Sequence, residues 1–413
     1  MNRITLLLAP LLACTVAGCA TPASRVPDAP DAQAHALPSV ATLDAKAARA
    51  MAATGARGLA IAVIDDGRVV ATRAYGLRNA RGEPLRTDTV MYGASLTKTV
   101  FATLAMQLVD AGELRLDAPL ADLLERPLPD YPDEDRYAAW SALAGDARWR
   151  AITPRIALTH STGFANFGFL EPDGRLRIHF APGSRYAYSG DGLMLLQFAL
   201  ERGRPRLDVG AQLQRRIFDP LGMRSTSLQW RQAFAANLAD GWTADGSPEP
   251  HDERGRVRVA GSMDTTPDDL AAFAAALVGG RLLTPAAFEA MTAPQLPITT
   301  RSQFPTLQPE LPAGDRRADL AAGLGVVVFD GPQGRGFFKG GHNDSTGNTL
   351  VCLRQGRRCV LILSNDVRAE AAFPALVRAV LGDTGTPWTW EYGDMAFWDG
   401  GDAPAPAAPA PSR

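Results

Sequence analysis

The amino-acid sequence predicts a mixed α/β (α+β) fold, with one antiparallel sheet built from both ends of the chain, flanked by helices and carrying an inserted helical lobe. Near the start, "GLAIAVIDDGRVVATRAYG" holds two strand-like runs joined at Asp66-Gly67, a dipeptide suited to a tight hairpin turn. Near the end, "AAGLGVVVF", "GRGFFKGG", "GNTLVCL" and "CVLILSND" are strand-like runs separated by glycine-rich turns. The patterns between them, such as "DLAAFAAALVGG", are mostly helical, so the two sets of strands must meet across a helical insertion.

Length and composition are those of an ordinary globular chain. The 413 residues are 46% hydrophobic and 21% charged, which is enough for a sizeable core. The formal net charge is -2 and the chain has no basic run, whereas phosphate binding needs a concentrated positive patch. Nucleic acid is therefore not an expected partner.

The N-terminus has the pattern of an export signal. "MNRITLLLAPLLACTVAGCA" places one arginine before a short apolar run that ends in small residues at Cys19. A membrane-spanning helix needs about 20 apolar residues, and this run is shorter and broken by Pro10. "VAGC" resembles the bacterial lipobox, which implies cleavage before Cys19 and lipidation of its thiol. We expect a lipoprotein signal peptide at 1–18 and a membrane-anchored protein facing the periplasm of a bacterial envelope. A soluble secreted protein cut nearby is the alternative.

The rest of the chain divides by composition. Residues 19–40 are the predicted lipidated cysteine and a flexible tether, rich in Ala, Pro and Asp without apolar periodicity. A flexible coil of about 20 residues would span about 25 Å. One domain is predicted over 41–385, and residues 386–413 are predicted to be an aromatic and then Ala/Pro-rich tail.

Two cysteines lie in a predicted hairpin. If Cys14 leaves with the signal and Cys19 carries lipid, Cys352 and Cys359 are the remaining thiols. Both lie in "VCLRQGRRCVLIL", where two apolar runs flank a turn that contains Gly356. Such a hairpin could place the two sulfurs opposite each other, and an exported chain permits a disulfide. Two separate buried thiols are the alternative.

Lysine is rare in this chain, which makes its place in "MYGASLTKTV", residues 91–100, informative. Among 42 basic residues only Lys46, Lys98 and Lys339 are lysines. Arginine stays charged, whereas the surroundings of a lysine can make its amine neutral and able to accept a proton. A lysine three residues after Ser95 indicates that this property is used there.

A helix is predicted to begin at Ser95. Apolar residues recur with helical spacing up to Gly112, at Leu96, Val100, Leu104 and Leu108. An ordinary serine N-cap would leave Lys98 unexplained, because the positive end of a helix dipole disfavours a cation in the first turn. The same field, with desolvation, favours a neutral amine that could act as general base on Ser95. Free backbone N–H groups at the helix start could stabilise an oxyanion.

Two further segments carry residues that could complete such a site. "PGSRYAYSGDGLMLLQFALE" places Tyr188 before a glycine-broken turn and a helical run. "GRGFFKGGHNDSTG" places Lys339 at the end of a strand-like run, followed by two glycines that permit close approach of a ligand to the backbone. Lys339 could meet a carboxylate or support the tyrosine.

Taken in order, these motifs resemble the serine β-lactamase and penicillin-binding-protein superfamily, specifically its class C-like branch of lactamases, D-alanyl-D-alanine carboxypeptidases and esterases. "SLTK" matches Ser-x-x-Lys, "YSG" stands where the family has Tyr-x-Asn, and "KGG" stands where it has Lys-Thr-Gly or His-x-Gly. "LVDAGELRLDAPL", "IALTHSTGF", "FDPLGM" and "AGSMDTTPDDLAAF" are also similar to family segments. The resemblance covers roughly residues 45–382 and implies a β-lactamase/transpeptidase-like fold.

Carried over position by position, the resemblance implies a role for each matching residue. Ser95 would be the acylated nucleophile and Lys98 its proton acceptor. Tyr188 would pass a proton to the leaving group and then activate the deacylating water, and in this superfamily either Lys98 or Tyr188 is assigned as the first base. The backbone N–H groups of Ser95 and His342 would form the oxyanion hole.

The sequence departs from the family pattern at two positions. Gly190 stands where the family has asparagine, and Gly340 stands where it has a hydroxyl residue. The family side chains are expected to hold the amide and carboxylate of the substrate, so ester or peptide hydrolysis is favoured over efficient β-lactam hydrolysis. Gly340 and Gly341 would let their strand lie against the substrate. Lys339 keeps a cation available, so a carboxylate-bearing substrate, such as one derived from peptidoglycan, stays among the candidates.

The resulting hypothesis is an exported, lipid-anchored serine hydrolase that acts through an acyl-enzyme on a small-molecule or peptide substrate, without metal or organic cofactor. Neither His-Glu-x-x-His nor paired-cysteine spacing occurs. His160, in "THSTGF", is interpreted as structural, because "GASLT" is not the Gly-x-Ser-x-Gly elbow of Ser-His-Asp enzymes. The alternative is a catalytically inactive cell-wall-binding or scaffolding lipoprotein that keeps the fold.

Overall fold

The computed structural model describes residues 35–401. The predicted signal peptide, Cys19 and most of the predicted tether lie outside these residues, as does the end of the tail. Within residues 35–401, no helix is both long and apolar enough to cross a membrane.

The described residues form twelve strands and ten α-helices. The strands are β1 (Gly58–Asp65), β2 (Arg68–Gly76), β3 (Met91–Tyr92), β4 (Gly241–Trp242), β5 (Pro248–Glu249), β6 (Asp264–Thr265), β7 (Leu296–Pro297), β8 (Leu320–Ala322), β9 (Val327–Gly331), β10 (Gly334–His342), β11 (Gly347–Leu353) and β12 (Arg358–Ser364). The helices are α1 (Val40–Thr54), α2 (Leu96–Asp110), α3 (Pro154–Leu158), α4 (Gly190–Arg202), α5 (Val209–Leu213), α6 (Asp219–Leu221), α7 (Pro267–Val278), α8 (Pro285–Thr292), α9 (Phe373–Leu381) and α10 (Trp388–Tyr392). Short 3₁₀ turns and one π-helical turn, Gln214–Phe218, join several of them.

The predicted antiparallel sheet from both chain ends is confirmed. Eight strands lie in the order β2-β1-β12-β11-β10-β9-β8-β7, and all neighbouring pairs are antiparallel. The first strand of the chain pairs with the last, with Ile61 opposite Ile362. Two two-stranded ribbons, β3 with β6 and β4 with β5, stand apart from this sheet.

Helices cover both faces of the sheet. Along β1, Ala60 and Ala62 pack into a core that contains residues of α2 and α7. The alternate residues Ile61 and Val63 pack into a second core with residues of α1 and α9. The period of two between opposite faces is that of a strand, and burial on both faces explains why β1 is almost wholly apolar.

Both predicted hairpins are present. Asp66 and Gly67 join β1 to β2 with φ values of 48° and 70°, the sign that a type I′ turn requires at its two central residues. Gly356, with φ 72°, lies in the turn between β11 and β12. Cys352 and Cys359 lie opposite each other across that hairpin and are joined by a disulfide bond.

Helix α2 lies in the mostly helical part of the chain between the two sets of sheet strands, and it is largely buried. Twelve of its 15 residues are buried, so it has no polar face for solvent. Its buried threonines bond to carbonyl oxygens; for example, Thr99 Oγ1 donates to Gly325 O at 3.0 Å and Thr103 Oγ1 to Thr99 O at 2.9 Å. The helix is therefore held in place along its length, and this also fixes the position of Ser95 at its N-cap.

The domain extends beyond the predicted boundary at residue 385. Trp388–Tyr392 is a helix rather than part of a free tail, and Trp390 is only 2% exposed. The ring of Trp390 lies 5.7 Å from that of Tyr186 and 6.4 Å from that of Phe338. The aromatic side chains of this segment pack into or against the second core. The composition of the segment did not reveal this packing.

Candidate active site

Ser95 stands at the N-terminal end of α2, and its side chain does not cap the helix. Ala94 before it is buried and has φ 45°, a left-handed conformation that costs a non-glycine residue energy. The Ser95 hydroxyl makes no hydrogen bond to the first turn of the helix backbone. Two other side chains bond to it instead.

Lys98 and Tyr188 converge on the Ser95 hydroxyl, as predicted. Lys98 Nζ and Tyr188 Oη each donate to Ser95 Oγ at 2.9 Å. Lys98 Nζ also donates to Ala260 O, and it lies 5.0 Å from the centre of the Tyr188 ring. One oxygen thus has two proton-transfer groups in contact with it.

Lys98 is buried, and its surroundings disfavour its charge. Burial lowers the pKa of Lys98; the Tyr188 hydroxyl opposes this change, and the nearby cation Lys339 adds to it. A larger share of Lys98 is therefore neutral near neutral pH than for a lysine in water. When neutral, the amine can accept the proton of the Ser95 hydroxyl across the same 2.9 Å contact.

The segment around Tyr188 is held by α4 and by His160. Ser189 is the N-cap of α4, where its Oγ accepts from Gly192 N at 3.0 Å and donates to Ala165 O at 2.8 Å. The His160 ring packs against the Tyr188 ring, with 4.4 Å between centroids and a tilt of 34° between the planes. Burial, with the charges of Lys98 and Lys339, holds the pKa of His160 well below its ordinary value. His160 is thus a neutral packing partner of the tyrosine, in agreement with its structural interpretation.

The third motif lies at the end of β10, beside Ser95. A Cβ added at Gly341 would lie 3.0 Å from the backbone nitrogens of both Ser95 and Leu96, so glycine is what allows this strand to approach the helix start. Lys339 Nζ donates to Gly340 O at 2.6 Å and lies 4.9 Å from the Tyr188 ring centre. Burial lowers the pKa of Lys339 to about 8.

His342 ends β10 and contacts a buried acid that the sequence did not single out. Its Nδ1 lies 3.3 Å from Glu370 Oε1, close enough for an ion pair although the geometry is not that of a hydrogen bond. Burial opposes the charged imidazole, but the Glu370 carboxylate, together with Glu391, outweighs burial and raises the pKa of His342. The oxyanion role predicted for the His342 N–H stays a prediction.

Side chains from other segments fill the space beside Gly190 and Gly340, the two positions where the sequence departs from the family pattern. A Cβ at Gly190 would lie 2.4 Å from Phe167 Cε1. Asn166 Oδ1 accepts from Gly190 N at 2.9 Å, so an amide side chain from another segment lines the site here. A Cβ at Gly340 would lie 2.1 Å from Glu391 Oε1. The space beside Gly340 therefore holds a carboxyl group.

A cavity of about 750 Å³ joins these residues, and Ser95, Lys98, Tyr188 and Lys339 are among those that line it. Aromatic rings stand at the same cavity: Phe167 and Phe169 stack with 5.2 Å between centroids, and Phe304 lies 5.5 Å from Tyr188. Phe169 is 69% exposed. Within residues 35–401, no group of three or more His, Cys, Asp or Glu side chains is arranged to hold a metal ion.

The chain is similar to known proteins over most of its length. A family model described as Beta-lactamase matches residues 43–382. Esterase EstB of Burkholderia gladioli is 30% identical over 257 residues, 58% of this chain and 63% of the esterase. The human protein described as putative beta-lactamase-like 1 is 28% identical over 282 residues, 64% of this chain and 56% of its own length. The matches thus span less than two thirds of these two relatives.

Solved structures share the fold. A D-alanine carboxypeptidase AmpC from Burkholderia cenocepacia superposes with a TM-score of 0.64 at 20% identity, over 83% of this chain and 98% of the carboxypeptidase. At this identity, the likeness concerns the arrangement of strands and helices.

Proposed function

The chain belongs to the beta-lactamase family of serine hydrolases, and from that premise we propose that it is an esterase that works through an acyl-enzyme on Ser95. The observation that carries the proposal is the pair of 2.9 Å contacts that Lys98 Nζ and Tyr188 Oη make with Ser95 Oγ. A scaffold without chemistry has no need to bury a lysine beside a serine, because desolvating an amine costs free energy. The cavity gives a substrate access to this oxygen.

In the acylation step, Ser95 Oγ attacks the carbonyl carbon of the ester. We assign the first proton transfer to Lys98, since its amine is the one whose charge the site disfavours. The Ser95 N–H stabilises the oxyanion. The bond to the leaving alcohol oxygen then breaks, and Tyr188 delivers a proton to that oxygen.

Deacylation reverses the roles of these groups. Water enters where the alcohol left and attacks the acyl carbon, while the Tyr188 phenolate left by acylation takes its proton and Lys98 still carries the proton of Ser95. The bond between Ser95 Oγ and the acyl carbon breaks, the acid leaves, and Ser95 recovers its hydroxyl proton. All three side chains return to their starting states, so the cycle needs water and no other reactant.

Two features favour an ester over a β-lactam as substrate. Phe167 fills the space beside Gly190, and Glu391 fills the space beside Gly340, so neither position offers the side chain that the family pattern uses. The name of the Burkholderia gladioli relative, an esterase, points in the same direction.

Intact-protein mass spectrometry tests the covalent step. The described domain, mixed with p-nitrophenyl acetate, should gain one acetyl group that is absent from Ser95→Ala. Benzylpenicillin, used in parallel, should give at most a trace of adduct. A stable penicilloyl adduct on Ser95 would instead indicate a penicillin-binding peptidase. Absence of any adduct would favour the non-catalytic cell-wall-binding alternative.

We also propose that the protein is exported and anchored by lipid at Cys19, in a segment outside the described residues. The support is the signal-like and lipobox-like sequence. Cells fed radiolabelled palmitate should label the wild type and the Cys14→Ala control but not Cys19→Ala, which should leave the membrane fraction. Equal labelling of all three would contradict the anchor.

A further inference from the structure

Glu391 lines the active-site cavity, although it lies about 300 residues after Ser95 in the sequence. It belongs to α10, is only 4% exposed, and lines the same cavity as Ser95 and Lys339. Its Oε1 would lie 2.1 Å from a Cβ at Gly340, so the carboxyl group lies against the backbone that follows Lys339.

A hydrogen-bond relay fixes the orientation of this carboxyl group. The Tyr186 hydroxyl donates to Gln303 Oε1 at 2.9 Å, which leaves the amide nitrogen of Gln303 to face the other way. Gln303 Nε2 donates to Glu391 Oε2 at 2.7 Å. The second oxygen, Oε1, is thereby held towards Gly340 and the cavity.

The acid changes what Lys339 can offer to a substrate. Lys339 Nζ already donates to Gly340 O, and the Glu391 carboxylate raises the pKa of Lys339 against the larger, opposite effect of burial. Burial raises the pKa of Glu391, while Lys339 and His342 oppose this rise and Glu370 adds to it. Two basic groups, Lys339 and His342, thus share this wall with two acids, and the Glu391 carboxylate reduces the positive field that Lys339 presents to the cavity.

A carboxylate on the substrate would meet an unfavourable environment here. It would have to lose its water and approach Glu391 Oε1, which repels it when Glu391 is ionised, beside an ammonium group whose attraction the same carboxylate reduces. A substrate that is uncharged at this position pays only a small desolvation cost on binding and is not repelled by Glu391. Discrimination of this kind comes from repulsion of the wrong substrate rather than from extra contacts with the right one.

We propose that Glu391 is a specificity-determining residue that rejects substrates with a carboxylate near the scissile bond and directs the site to uncharged esters. The inference rests on the proposed esterase function. It also revises the sequence-based expectation that Lys339 is free to receive a substrate carboxylate.

The test compares 3-acetoxybenzoate with its methyl ester, which replaces the carboxylate by an uncharged group one methyl larger, through the ratio of their kcat/KM values for release of acetate. The wild type should prefer the methyl ester by about 30-fold or more. Glu391→Gln removes the charge at nearly constant size and should reduce that preference by about tenfold or more. Glu391→Ala should shift the ratio in the same direction, which keeps the test open if one variant does not fold.

A matched control removes an acid elsewhere at the cavity. Glu253 lines the same cavity but is exposed, so Glu253→Gln should change the ratio by less than about threefold. A wild type that accepts both substrates equally, or equal ratios in wild type and both Glu391 variants, would overturn the inference. Failure to hydrolyse either compound in a Ser95-dependent way would overturn the proposed function and this inference with it.

Discussion

The backbone nitrogen of Ser95 lies 3.0 Å from the point that a Cβ at Gly341 would occupy. Real Cβ atoms rarely come so close to a backbone atom, and a backbone atom cannot swing aside as a long side chain can. The end of β10 and the start of α2 are thus in contact at the nucleophile itself. A single methyl group at position 341 should separate them.

Gly341→Ala should therefore reduce kcat for p-nitrophenyl acetate by about tenfold, because the contact must open by a few tenths of an ångström and a displacement of about 1 Å at a reacting group can cost about 100-fold. Gly314→Ala is the matched control, since its added Cβ meets no atom within 4 Å. Steady-state kinetics of both variants make the comparison. Full activity of Gly341→Ala would show that the strand can shift without disturbing Ser95.

Lys98 should give the activity a dependence on pH. Because burial lowers its pKa below the ordinary 10.5, kcat/KM for a neutral ester should rise with pH through that lowered value and level off before 10.5. Lys98→Arg should lose about 1000-fold in kcat/KM or more, since a guanidinium stays protonated. A pH profile of the wild type and the rates of the variant provide the check. An arginine variant with wild-type activity would exclude Lys98 as the base.

Gly190 and Phe167 should behave as a coupled pair. Gly190→Asn forces a side chain into the ring of Phe167, whose Cε1 lies 2.4 Å from the new Cβ, so the single variant should lose about 1–3 kcal/mol of stability. Phe167→Ala opens the space, and the double variant should recover about 1 kcal/mol relative to the sum of the two single changes. Urea unfolding of the four proteins measures this coupling. Additive effects would mean that Phe167 simply rotates away.

The exposed ring of Phe169 should favour substrates with an apolar acyl chain. Replacement by serine removes apolar surface worth about 1 kcal/mol, or about fivefold in kcat/KM for p-nitrophenyl octanoate, with little change for the acetate. Val70→Ser is the control, because Val70 is also exposed, at 51%, but lies on β2 and is not among the residues that line the cavity. If both variants lose octanoate activity equally, Phe169 has no part in acyl binding.

The disulfide between Cys352 and Cys359 should contribute to stability. Replacement of both residues by alanine should lower the free energy of unfolding by about 2 kcal/mol, because the bond restricts the unfolded chain. Thermal unfolding with and without reductant should show the same difference. Iodoacetamide should alkylate neither thiol in the denatured, unreduced protein; alkylation of both would contradict the bond.

Sequence reasoning could place Ser95, Lys98 and Tyr188 because each lies in a local pattern, a helix start or a turn, whose spacing can be read directly. It could predict the sheet because short strand-like runs bounded by turn residues occur at both chain ends. It could not place Glu391 or Asn166, which reach the cavity from α10 and from the loop before α4. Nothing in their neighbours along the chain points to the site; "TWEYG" reads as a tail until Trp390 is seen in the core. Only the folded chain shows that Phe167 fills the space beside Gly190 and that Glu391 fills the space beside Gly340.

The pairing of β1 with β12 also constrains how the domain can be made. Ile61 and Ile362 are about 300 residues apart along the chain, so the interior of the sheet closes only after nearly all of the domain has been synthesised. Until then, the apolar strand β1 lacks its partner on one edge, the kind of surface on which unfinished chains aggregate. A fragment that stops before residue 358 keeps the nucleophile and its lysine yet lacks the strand that completes the sheet. Such a fragment should depend on chaperones to stay in solution and should be degraded rather than act as a smaller enzyme.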